Sequence, residues 1–205
     1  QLRNRARSVN VTPEGVNVGR PSIVPVESRF LLSYFERTGA SPGVYTRWLS
    51  NDAVIDSPPS LVSTKDPGSY RATMARLADG GFAVAWVRRV DKESDDLFLR
   101  LFDKQAKPRG PIVRMTDYVS QRSQRPSLRR VGVSATREHV HVIYSYSVAS
   151  TLNVRYQKLS LAYKGVGLPA RKDSDPKQPR TLSPELVLTE VSKKANEPDI
   201  VCGEA

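Results

Sequence analysis

Basic side chains, arginines above all, are the chemistry this chain offers in quantity. It carries 32 Lys and Arg against 21 Asp and Glu, for a formal net charge of +11, with only 2 histidines and 1 cysteine. Arg20 stands directly before Pro21-Ser22, and Arg122, Arg125, Arg129 and Arg130 surround Pro126-Ser127. A second group, Arg171, Lys172 and Lys177, lies in a proline-rich stretch at 164–184 that has few apolar anchors. Basic surfaces of this kind attract polyanions, whether acidic glycans, nucleic acid or an acidic partner protein. Nucleic-acid recognition usually adds a known motif, or aromatic residues interleaved with the basic ones. Here the aromatic residues occupy repeated strand positions, so nucleic acid is not an expected partner.

The remaining reactive residues are few. His139 and His141 alternate on an expected strand and so share a face. Two histidines on one face could in principle hold a metal, but Glu138 points to the opposite face and no third ligand stands nearby. No metal and no cofactor are expected. A Ser-His-Asp arrangement would need one of these same two histidines, and no nucleophile motif accompanies them. No catalytic residue is assigned, and the balance of residues leans away from an enzyme. Cys202 rules out an internal disulfide framework and reads as a small buried hydrophobe. Asn10-Val11-Thr12 is a glycosylation sequon that points to Asn10 and to an extracellular or cell-surface setting. No run of apolar residues is long enough for a membrane-spanning helix.

What positions these residues is a pattern that recurs three times. Phe30, Phe82 and Val140 correspond, as do Tyr34, Trp86 and Tyr144, at a period of about 50 residues that marks stacked supersecondary units. Each copy continues with a second matched segment, Val44 to Ser50, Leu97 to Asp103 and Val154 to Ser160. A short apolar run follows, Leu61 to Thr64, Ile112 to Thr116 and Leu186 to Thr189. One unit therefore reads as four short strands rich in Val, Leu, Phe and Tyr, separated by turn residues. Asp79-Gly80-Gly81 supplies a tight hairpin in the second copy. Glu27-Ser28 and the segment Gly132 to Glu138 take the same place in the others. No stretch shows helical spacing, so the fold is all-β.

Tandem four-stranded units of this length are the signature of β-propeller blades. Leu77 to Trp86 resembles the "DGGFVVAW" repeats of large bacterial surface and secreted proteins, and Pro126-Ser127-Leu128 with Val140 to Tyr146 resembles sialidase-like propellers. The resemblance implies about three four-stranded blades plus partial strands at both ends. Residues 1–19 would end a preceding blade, with Val9 to Thr12 as its last strand. Residues 20–68, 69–120 and 121–193 would be whole blades, the last carrying the 164–184 insertion, and 194–205 would open a further blade. On this pattern the chain is expected to be a segment of a longer polypeptide, the alternative being that its terminal strands join one another in a fourth, irregular sheet. Sialidases bind a substrate carboxylate with an arginine cluster and use a Tyr/Glu pair. Arg20-Pro21-Ser22 and Arg125-Pro126-Ser127 resemble their Arg-Ile-Pro motif without the isoleucine, while the Asp-box phrase is missing from every turn. The function expected is therefore a non-enzymatic structural or interaction segment of a larger protein. Its partners would be other subunits, the rest of its own parent chain, or acidic glycans. A sialidase-like carbohydrate-active propeller, hydrolase or lectin, is the alternative.

Overall fold

The computed structural model of the chain describes residues 10–12, 14–90, 94–118, 126–149, 151–169, 180–188 and 200. All of the regular structure among them is antiparallel β, apart from one isolated parallel bridge between Arg114 and Gly167. The first sheet holds β1 (Val18–Val26), β2 (Arg29–Glu36), β3 (Gly43–Ser50) and β4 (Ser60–Leu61) in chain order. The second holds β5 (Ser69–Arg76), β6 (Phe82–Arg89), β7 (Asp95–Phe102) and β8 (Val113–Arg114), followed by β9 (Thr116–Asp117). The third holds β10 (Ser127–Ala135), β11 (His139–Val148), β12 (Thr151–Ser160) and β14 (Leu186–Val187). Between them, β13 (Arg180–Thr181) pairs with β9 in a two-stranded ladder.

The second strand of each sheet is the most buried, because it is flanked on both edges and covered on both faces. Leu31 to Glu36, Phe82 to Val87 and Val142 to Tyr146 are continuous buried runs. Side chains alternate between faces. Phe82, Val84 and Trp86 pack towards the first sheet, while Ala83, Ala85 and Val87 meet Val140, Val142 and Tyr144 of the third. The second sheet is thus the middle layer of a stack, and the corresponding positions Tyr34, Trp86 and Tyr144 all sit in apolar layers, as the repeat requires. The third strands end alike. Ser50 Oγ, Asp103 Oδ1 and Ser160 Oγ each accept a backbone N–H from the turn beyond the strand, Val54, Lys107 and Ala162 respectively.

Three sequence expectations need correction. Residues 10–12 are not in a strand; Asn10 Oδ1 instead accepts Thr12 N at 3.2 Å, and Arg47 Nη1 holds the Val11 carbonyl at 2.9 Å. The third hairpin tip is shorter than Gly132 to Glu138, since β10 runs to Ala135 and Thr136 N donates to His139 O. The 164–184 insertion is a connection between β12 and β14, as expected, but its flanks are pinned. Gly167 bridges Arg114, Leu182 N donates to Met115 O, and β13 lies within it. The expected opening strand at 194–205 lies outside the described residues except for Ile200, whose Cγ2 comes within 3.5 Å of where a Gly132 Cβ would stand.

Candidate anion-binding rim

The first strands β1, β5 and β10 lie side by side, with β5 packed between the other two. Each carries a one-residue bulge against its second strand. The register slips between Gly19 and Ser22, between Tyr70 and Thr73, and between Leu128 and Val131. The residues in these bulges are Arg20-Pro21, Arg71-Ala72 and Arg129-Arg130. A bulge places two residues opposite one and re-aims the first side chain. In all three strands that first residue is arginine. Arg20 and Arg71 adopt φ of 47° and 56°, a conformation that costs a residue with a Cβ about 1–3 kcal/mol. Three first strands thus each open their bulge with an arginine, opposite Tyr34, Trp86 and Ser145 respectively, so the third bulge is one residue out of step with the other two.

The electrostatics arise from that placement. Burial, with the charges of Arg20 and Arg129 adding to it, pushes the Arg71 guanidinium below its usual range, against the pull of Tyr70 and Asp95. Arg20 and Arg129 are themselves exposed. Arg71 is held in place: it donates from Nη1 to the Leu128 carbonyl of β10 and lies 4.9 Å over the Tyr70 ring. Tyr70 is pushed well above the usual phenol range by burial and by its hydrogen bond to Asp95. Asp95 is fully buried, pairs with Arg89 at 3.2 Å and accepts Leu128 N at 3.3 Å. The cluster therefore has a rigid centre and two exposed flanks of like charge, the arrangement that an anion relieves.

Of the residues expected from sequence, Arg20, Arg129 and Arg130 come to this rim. Arg122, Arg125, Arg171, Lys172 and Lys177 lie outside the described residues. Arg71 is not among those expected. Its signal is the shared phrase Arg20-Pro21-Ser22 and Arg71-Ala72-Thr73, a bulge arginine two residues before a small hydroxyl residue. The third bulge shows that Arg129, four residues after Arg125, is the true counterpart of Arg20. The Pro126-Ser127 phrase sits ahead of the bulge instead of within it.

A second charged cluster lies at the other edge of the second sheet. Asp96 is fully buried and accepts Arg114 Nε at 3.1 Å, Thr116 Oγ1 at 3.1 Å and Tyr118 N at 2.8 Å. Burial dominates these contacts and raises its carboxyl to about 6. Arg114 also pairs with Asp117 at 2.7 Å, and Arg180 Nε reaches Asp117 at 2.8 Å. Close by, the Tyr118 and Tyr144 hydroxyls lie 2.9 Å apart and both contact Glu185 Oε1, and Arg155 pairs with Glu185 while stacking 3.8 Å over Tyr146. Burial and the Glu185 carboxylate drive both phenols well above their usual range, with Tyr144 adding to the rise at Tyr118.

His141 Nδ1 contacts Tyr156 Oη at 2.7 Å and Nε2 contacts Thr136 Oγ1 at 3.3 Å, so both ring nitrogens are engaged. Burial, then His139 and Lys158, lower its pKa. Among the described residues no group of three metal-ligating side chains occurs, and no helix is long and apolar enough to cross a membrane. Asn10 is exposed, with Thr12 Oγ1 3.2 Å from its Oδ1. Compared with known proteins, the chain matches no family model, no curated protein and no solved structure.

Proposed function

We propose that this chain is a non-enzymatic interaction module of β-propeller type whose first strands line a rim that takes an acidic ligand. The observation that carries the reading is the arginine repeated at the bulge of β1, β5 and β10. A surface that merely needed solvating charge has no reason to open a first-strand bulge with an arginine three times, twice at positive φ. Support for the propeller comes from three four-stranded antiparallel sheets stacked in chain order with their first strands adjacent. The extracellular or surface setting rests on the exposed sequon at Asn10.

The alternative, a sialidase-like carbohydrate-active propeller, draws on the Tyr118/Tyr144–Glu185 cluster. Burial withholds both phenols from a substrate, and their hydrogen bonds are taken up within the core, which favours binding over turnover. The test is binding of the purified chain to an acidic-glycan array at two salt concentrations, alongside an Arg20→Ala/Arg129→Ala variant. Binding should weaken with salt, because exposed charges are screened. It should fall about a hundredfold in the double variant, at about tenfold for each lost charged hydrogen bond. No acidic binder, or binding indifferent to the variant, would overturn the proposal.

A further inference from the structure

If the rim takes an acidic ligand, as proposed above, its layout as well as its charge restricts which ligand fits. Stacked sheets lie about 10 Å apart, and the three arginines belong to three successive layers. Arg71, in the middle, is tied to the Leu128 carbonyl and laid over Tyr70, so its guanidinium is not at liberty to swing to either side. Arg20 and Arg129 flank it from β1 and β10, both exposed and near enough for their charges to disfavour its protonated form. A compact anion chelated by three converging guanidiniums would require the central one to move. The charge instead forms a row crossing three strands. Single-stranded nucleic acid binds such rows with aromatic platforms for its bases. The exposed large hydrophobic residues, Ile23, Val54, Val166, Leu186, Val187 and Leu188, are all aliphatic among the described residues.

We propose that the row binds an extended polyanion, a sulfated or uronate-bearing polysaccharide lying across β1, β5 and β10 with its anionic groups in register with the three arginines. Each arginine then meets a different acidic group, and affinity accumulates along the polymer.

The experiment is a titration of the full chain with size-fractionated heparin oligosaccharides from disaccharide to dodecasaccharide, with inorganic sulfate and a single-stranded oligonucleotide as comparisons. The dodecasaccharide should bind about a hundredfold more tightly than the disaccharide, at about tenfold for each of two further charged contacts. Arg20→Glu and Arg129→Glu should each lower dodecasaccharide affinity by at least about tenfold and flatten its salt dependence by about one released counterion. Arg20→Lys should recover part of the binding, and melting curves should match the parent for all three variants. Equal affinity for disaccharide and dodecasaccharide would overturn the extended-ligand proposal while leaving the acidic-ligand reading intact. Tighter binding of the oligonucleotide would replace polysaccharide with nucleic acid as the partner. No binding to any probe would remove both.

Discussion

Arg71 and Arg114 occupy opposite edges of the same sheet, the first on β5 and the second on β8, and their surroundings are inverted. Arg114 lies between two carboxylates, Asp96 and Asp117, with Arg180 closing the chain of alternating charge. Arg71 lies between two further arginines, with the Asp95 carboxylate pulling against them. At the Arg114 edge positive and negative groups alternate inside the molecule, and the result joins the 164–184 insertion to the second sheet. At the Arg71 edge the backbone is strained and like charges gather. The first arrangement is cement; the second, on the function proposed for it, is a receiving surface for something acidic.

The largest effect that tests this contrast is replacement of each arginine by methionine. Arg114→Met leaves two buried carboxylates without their shared cation, and breaking a buried pair costs about 3–5 kcal/mol. Arg71→Met loses a charged hydrogen bond to Leu128 O but relieves repulsion from Arg20 and Arg129, so its cost should stay near 1 kcal/mol. Urea titrations of the two variants decide the matter. Equal destabilisation would mean that the two edges do the same structural work.

Next in size is the pH dependence that comes from Asp96. Its folded-state value of about 6 lies above the ordinary 3.8, so the folded chain binds more protons than the unfolded chain between those two values. This contribution to stability is complete below about 3.8 and is lost as pH rises through about 6. A shift of this size amounts to about 3 kcal/mol. Asp96→Asn should therefore remove a decline in unfolding free energy between about pH 4 and 6, while Asp95→Asn, at the rim side of β7, should leave that decline in place. A wild-type profile that is flat over this window would show that Arg114 compensates the buried charge fully.

These two edges also mark the limits of what the sequence discloses. The phrases Leu31 to Phe35, Phe82 to Trp86 and Val140 to Tyr144 are legible because a strand covered on both faces is apolar at most of its positions, Ser33 and His141 being the exceptions. The segment ends at Ser50, Asp103 and Ser160 are legible because each of those residues closes the turn that follows it. The bulges are not, since a one-residue slip depends on pairing with a second strand and leaves no local mark. That is why Arg71 passes unnoticed and Pro126-Ser127 draws attention that belongs to Arg129. The buried cluster is hidden for another reason. Tyr118 and Glu185 meet across 67 residues of chain, and adjacent aspartates such as Asp95 and Asp96 read as a solvated turn until the partners that bury them are known.

The smallest effect bears most directly on why the rim exists. Arg20 holds φ at 47° on an exposed strand, a conformation that glycine adopts without penalty. Arg20→Gly relieves that strain but adds backbone freedom to the unfolded chain, so the net change in stability should be a gain of at most about 1 kcal/mol. The same substitution should abolish about nine-tenths of polyanion binding, because it deletes one member of the row. A variant that is as stable as the parent or more so, yet binds less, would show that the bulge is kept for its ligand at the expense of the fold. If the glycine variant were instead destabilised by about 2 kcal/mol or more, Arg20 would be part of the cement, and the contrast between the two edges of the molecule would not hold.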